Sequence, residues 1–410
     1  MNKIKIIDSI MGSGKTSYMI QKMNEAPTDD KFIFITPYLD EVKRIKEACP
    51  DKKFIEPKIH SVNGETFYKL DSLHKHLSDN KNIATTHALF KMANETTKEL
   101  IYSGNYTLIL DEAIEVVKQL NISADDLDML FKNNWIINKD DRIIWNMEQE
   151  KNMQREYDGE FKHLKQLALN NNLILHNDSV ILWNFPADIF KLFKEVYNLT
   201  YLFDGQLQKY YYDLNNIPYE KYMIKKDKGK YKCVPYDSAA DKHIKNKIKI
   251  NINVYDGDLN KIGEEKYSLS KGWYRNKRVL HKRLQNNILN YFQNICKSKS
   301  NFNMWTTFID YKPRLSGKGY TKGFIPCNIR STNEHSHKNT LVYAINRYCN
   351  PLLVEYFSSK GIKVDETYFA LSEMIQWIWR SSIRNNDSIS IYIPSRRMRL
   401  MLIDWLNNDL

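Results

Sequence analysis

Apolar positions in the first half of the chain fall into short, nearly unbroken runs: Ile4–Ile7, Phe32–Thr36, Ile83–Thr85 and Tyr106–Leu110. Such runs, without polar alternation, read as strands buried on both faces, as in parallel sheets. Between them apolar residues recur at helical spacing, over Leu39–Ala48 and Asp71–Leu77. Strand and helix in alternation predict a parallel sheet wrapped by helices. A fifth run, Val196–Phe203, follows a polar, helix-prone stretch at about 115–178 that reads as a helical insertion.

The second half patterns less regularly. Tyr210–Tyr212 and the Lys-rich stretch 221–249 suggest hairpins or an elaborated loop. Helical periodicity returns over Lys277–Cys296, and strands are expected at Met304–Ile309 and Gly323–Asn328. The end is clearer: a long helix from Glu366 to Arg384, a turn at Asn385-Asn386-Asp387, a strand Ile389–Ile393 and a last helix from Ser395. A chain of 410 residues is natural for two domains. A boundary near 205 gives domains 1–205 and 206–410.

Charge sharpens that division. Residues 1–205 hold 26 Lys and Arg against 31 Asp and Glu, while 206–410 hold 35 against 18, a net of +17. A basic half fits a polyanionic partner, most simply nucleic acid, with a solvated basic surface as the plain alternative. The five cysteines are scattered and never form Cys-x-x-Cys, which suits a reducing cytoplasm and disfavours a zinc ribbon. A strand begins almost at once, so no signal peptide is expected, and no apolar stretch approaches membrane-spanning length.

The first strand runs straight into Ser9-Ile10-Met11-Gly12-Ser13-Gly14-Lys15-Thr16, with a helical run from Ser17. Strand, glycine turn, Lys-Thr, helix is the order a nucleoside-triphosphate cradle requires. Glycines let backbone N–H groups converge on phosphate oxygens, and the helix N-terminus adds partial positive charge. Gly12, Ser13, Gly14, Lys15, Thr16 and Ser17 would bind ATP, with Lys15 on the β- and γ-phosphates and the Thr16 hydroxyl on Mg²⁺. Ser9 stands where the motif usually has its first glycine.

Leu108-Ile109-Leu110-Asp111-Glu112-Ala113 puts two carboxylates at the end of a buried strand. There Asp111 can hold Mg²⁺ and Glu112 can deprotonate an attacking water. Near the C-terminus, Gln376, Arg380 and Arg384 fall at i, i+4 and i+8, one face of the expected helix. Two arginines and an amide so placed could reach a γ-phosphate held by the other domain; the alternative is an exposed face paired with acids.

In this order, the glycine loop, the Asp-Glu-Ala run and the Gln-x-x-x-Arg-x-x-x-Arg run resemble motifs I, II and VI of superfamily 2 helicases. More closely, the chain is similar to the small helicase proteins of that type encoded by tailed bacteriophages. The resemblance implies an α/β fold of two RecA-like P-loop NTPase domains, with the helical insertion in the first, and ATP·Mg²⁺ between them. It implies a helicase or translocase acting on nucleic acid, single-stranded DNA before RNA, in phage replication with replication proteins as possible partners. The place would be the host cytoplasm, with no membrane role. The family commonly has Gln-x-x-Gly-Arg-x-x-Arg. Here Trp379 stands at the Gly position and Arg384 falls one place late, which makes Arg380 the firmer arginine finger. Thr200-Tyr201 stands where the family has Ser-Ala-Thr.

The resemblance also implies where a strand would lie. Thr36 and Tyr38, then Thr86 and His87, follow strands in the positions of phosphate-binding elements; Thr86 could equally cap a helix. On the second domain Tyr311–Lys322 gathers Lys312, Arg314 and Lys318 with two tyrosines able to stack on bases. Arg330 would belong to a motif V counterpart. Trp183, Trp305, Trp377 and Trp379 read as packing residues. Two other functions share the nucleotide motifs: a DNA-packaging motor ATPase, and a nucleotide-gated nucleic-acid-binding ATPase that never unwinds.

Overall fold

The computed structural model describes residues 3–62, 65–328 and 334–409. The continuous apolar runs form the centre of a seven-stranded sheet. Its strands are β1 (Ile4–Asp8), β2 (Phe32–Thr36), β3 (Ile83–Thr86), β4 (Thr107–Asp111), β5 (Glu195–Thr200), β6 (Tyr219–Asp227) and β7 (Lys230–Pro235). The order across it is β7-β6-β1-β5-β4-β2-β3. Only the outer β7 runs antiparallel to its neighbour. β2 and β4 are buried at every position, which is why their sequences show no polar alternation.

Parallel strands bring their following residues to one edge, the usual place for a ligand in such sheets. Here that edge collects Ser9–Thr16 after β1, Pro37 and Tyr38 after β2, His87 after β3, Glu112 after β4 and Tyr201 after β5. β5 separates β1 from β4. Two strand spacings, about 10 Å, therefore lie between the glycine loop and the acid pair.

The first sheet does not end at 205. The hairpin β6–β7 adds to β1, so the switch to basic composition falls inside the first domain, at its outer edge. The expected helical insertion also differs. Residues 117–184 form a five-stranded antiparallel sheet, in the order Val117–Gln119, Val180–Asn184, Leu173–His176, Arg142–Trp145, Ile136–Lys139, carrying the helices Ala124–Lys132, Met147–Met153 and Lys162–Leu169. Strands of three to five residues are too short for their alternation to stand out, so the polar helices dominate the sequence pattern. Trp135 stacks on Trp145 at 5.6 Å with Tyr157 edge-on to both, closing this small core.

The second sheet is wholly parallel: β8 (Ile252–Val254), β9 (Asn303–Thr306), β10 (Thr340–Tyr343) and β11 (Ile389–Tyr392), in the order β8-β11-β10-β9. Both halves are therefore α/β with a parallel sheet, as expected. The strand expected at Gly323–Asn328 is reduced to one bridge, Phe324 to Trp305. Tyr210–Tyr212 lie not in a hairpin but in the helix Leu207–Leu214. Three successive rings fan out at helical angles into different walls, where their hydroxyls meet the Asp204 carbonyl, the Phe185 carbonyl and the Gln208 amide. Trp183, Trp305, Trp377 and Trp379 are all buried, as packing residues.

The halves interlock. Leu353, Tyr356 and Phe357 of the helix Pro351–Ser359 complete the first hydrophobic core, and Glu355 accepts from Asn177 Nδ2 at 2.7 Å. The helix Glu366–Ile378 crosses the carboxyl edge of the first sheet. At its start a Cβ on Gly205 would strike the Tyr368 carbonyl, so glycine permits the close approach.

Candidate functional site

Gly14 holds φ 91°, in the left-handed region open to glycine, and begins the helix Lys15–Glu25. The loop thus turns back over the strand end and leads directly into a helix N-terminus. One cleft is lined by Gly12, Gly14, Lys15, Thr16 and Ser17, by Asp111 and Glu112, and from the second domain by Gln376, Arg380 and Arg384. Residues far apart in sequence, from Gly12 to Arg384, meet there. Ser13 of the same loop has its Oγ buried with no partner among the described residues.

Distances within the cleft are short. Thr16 Oγ1 lies 3.3 Å from Asp111 Oδ1. Lys15 Nζ donates to the Ser9 carbonyl and, at 3.2 Å, to the Ile10 carbonyl. Burial lowers the Lys15 amine to about 8, against the opposing pull of Asp111, Asp8 and Glu112. Burial first, then Glu112 and Glu41, raises the Asp111 carboxyl to about 7. Two groups built to carry opposite charges are thus both pushed toward neutrality for lack of solvent.

Glu112 has φ 69°, uncommon for a residue with a side chain, and its N–H donates to the Leu199 carbonyl at 2.9 Å. Such a backbone costs about 1–3 kcal/mol and tends to persist at functional sites. Arg380, 5% exposed, places Nη2 at 3.6 Å from Glu112 Oε1, while its Nε has no partner among the described residues. Arg384 is half-buried, its guanidinium lowered first by burial and then by Arg380. The Arg384 carbonyl comes so near the loop that a Cβ on Gly12 would sit 3.7 Å from it.

The three second-domain residues arrive differently from the expectation. The helix stops at Ile378, so Arg380 lies past its end and Arg384 sits in the 3₁₀ turn Ser382–Asn385. Ser381 Oγ donates to the Ile378 carbonyl and the Ser382 N–H is taken by the Lys338 carbonyl, which breaks the helical ladder. Helical periodicity does not align these side chains; the chain's turn beside the first domain does.

The strand-end residues take varied positions. Thr36 is fully buried with its hydroxyl unpartnered among the described residues, and Tyr38 is exposed. The Thr86 side chain does not cap the following turn, and His87 Nε2 donates to the Asp111 carbonyl at 3.0 Å. Lys312 and Arg314 follow the carboxyl end of β9, whereas Lys318 stands near its amino end, where Asn303 Nδ2 bonds the Gly319 carbonyl. The two tyrosines expected to meet bases are engaged in packing: Tyr320 is buried and Tyr311 stacks on Tyr274 at 4.8 Å. Arg330 lies outside the described residues.

Thr200 and Tyr201, which stand where the family has Ser-Ala-Thr, line the cleft too, but sequence reasoning did not find Glu41, Arg44 or Tyr231, which also line it. Glu41 and Arg44 read as an ordinary i, i+3 surface pair, and they do bond at 3.0 Å. Nothing in the sequence near Tyr231 signals a site. Among the described residues no helix is long and apolar enough to cross a membrane, and no three His, Cys, Asp or Glu side chains gather as a metal site.

Among solved structures, the chain resembles Xpd4 of S. tokodaii, with TM-score 0.49 and 13% identity over 98% of this chain and 94% of that one. The DUF1998 helicase MrfA, solved bound to DNA and AMPPNP, gives TM-score 0.34 and 10% identity over 99% and 48%. Neither likeness adds to what the sheet order already shows. Sequence families are more telling. Residues 117–183, the antiparallel insertion, match the family described as the YonV middle domain, and 246–406 match the YonV C-terminal Rossmann-like domain. The SPbeta prophage-derived uncharacterized protein YonV of Bacillus subtilis (strain 168) is 66% identical over 409 residues, spanning 100% of both chains. The chain belongs to the YonV family.

Proposed function

We propose that this protein is an ATP-driven motor of the helicase or translocase type that acts on nucleic acid. One observation carries the reading: cations from both domains and the acid pair of the first converge on a single cleft beside the glycine loop. Lys15, Arg44, Arg380 and Arg384 face Glu41, Asp111 and Glu112 there, so an incoming polyphosphate finds excess positive charge. The buried Ser13 Oγ and Arg380 Nε, both donors without partners among the described residues, fit phosphate oxygens.

In this reading the Gly12–Ser17 loop holds the phosphates and Lys15 leaves the Ser9 carbonyl for the β- and γ-oxygens. Thr16 and Asp111 would hold Mg²⁺, which neutralises phosphate charge. Glu112 activates the attacking water. Arg380, with Arg384 and Gln376 beside it, turns from Glu112 to the γ-phosphate and so frees the base only when nucleotide is present. Bound triphosphate then bridges the domains, and hydrolysis removes the bridge. The excess of 17 positive charges in the second half supports nucleic acid as the track, and the resemblance to superfamily 2 helicases favours single-stranded DNA.

Steady-state ATP turnover tests this, measured alone and with single-stranded DNA, RNA and duplex. Turnover stimulated several-fold by one of them is expected. Absence of hydrolysis under every condition refutes the reading.

A further inference from the structure

Tyr231, near the start of β7, lines the cleft beside Gly12, Gly14 and Lys15. Its ring lies so close to Gly14 that a Cβ there would collide with it. Its backbone is pinned to the loop's own helix: its N–H donates to Gln21 Oε1 at 3.1 Å, and its carbonyl accepts from Gln21 Nε2 at 3.4 Å. Lys226, directly opposite on β6, holds its ammonium 5.5 Å from the ring centroid. The aromatic ring is therefore held against the glycine loop, within the lining of the cleft, by two different elements.

Sheet order gives this placement a direction. Asp111 and Glu112 end β4, on one side of β1, while β6 and β7 lie on the other. A nucleoside triphosphate is extended, with the terminal phosphate at one end and the base at the other. With its γ-phosphate among Asp111, Glu112 and Arg380, its base extends toward β7.

We infer that Tyr231 is a nucleobase platform, the ring on which the base of the bound nucleoside triphosphate stacks. The inference rests on the proposed function and deepens it by assigning the base end of the site. Every base offers a π-face, so such a ring favours nucleosides over bare polyphosphate without choosing strongly among bases.

Calorimetric binding of two probes, ATP with Mg²⁺ and inorganic tripolyphosphate with Mg²⁺, separates base from phosphate recognition. On the full chain, Y231A is expected to bind ATP about tenfold more weakly, or about 1.4 kcal/mol. Its tripolyphosphate affinity should match wild type, and Y231F should bind both probes as wild type does. Equal weakening for both probes overturns the inference, as does unchanged ATP binding. Tighter ATP binding by Y231A overturns it too, because the ring would then be a plug. Photolabelling of wild type with 8-azido-ATP gives a second reading that does not depend on how well the variant folds. Label within residues 219–235 supports the platform, and label confined elsewhere overturns it. A wild type that binds neither probe removes the proposed function and this inference together. A wild type that hydrolyses ATP while Y231A binds it equally well removes the platform alone.

Discussion

Arg380→Ala separates a catalytic arginine from a structural strut. In the structure its guanidinium and the Glu112 carboxylate stand 3.6 Å apart, beyond normal hydrogen-bond length. At an effective dielectric near 20, that separation corresponds to a gross attraction of about 4–5 kcal/mol. Burying the guanidinium works against it by several kcal/mol, and the Nε has no partner among the described residues to offset that cost. The two nearly cancel, and the Glu112 carboxylate left behind keeps 26% of its side chain exposed and so is rehydrated. Nucleotide-free R380A should therefore lose no more than about 1 kcal/mol, roughly 2 °C in melting temperature. Catalysis should respond very differently. An arginine on the transferring phosphoryl group is worth roughly 10³–10⁵ in turnover. R380A should therefore hydrolyse ATP at least about 10³-fold more slowly while binding it within a few-fold of wild type. Arg380→Lys should not rescue, because a point charge cannot replace the planar fork. Calorimetry for binding, phosphate release for turnover and thermal unfolding for stability make the set. Normal turnover in R380A, or a melting temperature lowered by many degrees, refutes the reasoning.

Lys15→Ala should abolish detectable ATP binding, whereas Glu112→Gln should bind ATP normally and stop turnover; hydrolysis at wild-type rate by the latter would place the base elsewhere. Asp8, buried and accepting from the Leu202 and Phe203 N–H groups, is raised to about 6, chiefly by burial. A raised carboxyl costs stability as it ionises: nothing below about pH 4, and up to about 3 kcal/mol above pH 6. Chemical denaturation of wild type and Asp8→Asn should therefore show the wild type losing ground between those values, and a flat difference would contradict the assignment. Neutralising Lys312 and Arg314 should lower the slope of log affinity for single strands against log salt by about 0.7 for each phosphate these side chains neutralise. An unchanged slope would remove that segment from the track.

Particular elements show how much was readable. The glycine loop and the Asp111-Glu112 pair were legible because each is local: a buried strand followed within a few residues by its chemistry. The class of the first half was legible for the same reason, since β2 and β4 are buried throughout and β1 nearly so, whereas that of the second half came from the family resemblance. The insertion misled, because its strands are short and its helices polar. Gln376, Arg380 and Arg384 were found by their spacing, yet the helix that justified the spacing ends at Ile378.

What the amino-acid order determined by itself is the first wall of the cleft, where a strand, a tight turn and a helix N-terminus are consecutive in the chain. The opposite walls were decided only on folding. Sheet order put β5 between the loop and the acids, and the hairpin β6–β7 beyond the loop on the other side. The turn at Ser381 and Ser382 then aimed the arginines. Arg44, Tyr231 and Arg380 are ordinary residues in their local stretches. They acquire a role because folding brings them to one cleft beside the glycine loop, where Arg380 is buried, Tyr231 half-buried and Arg44 still exposed.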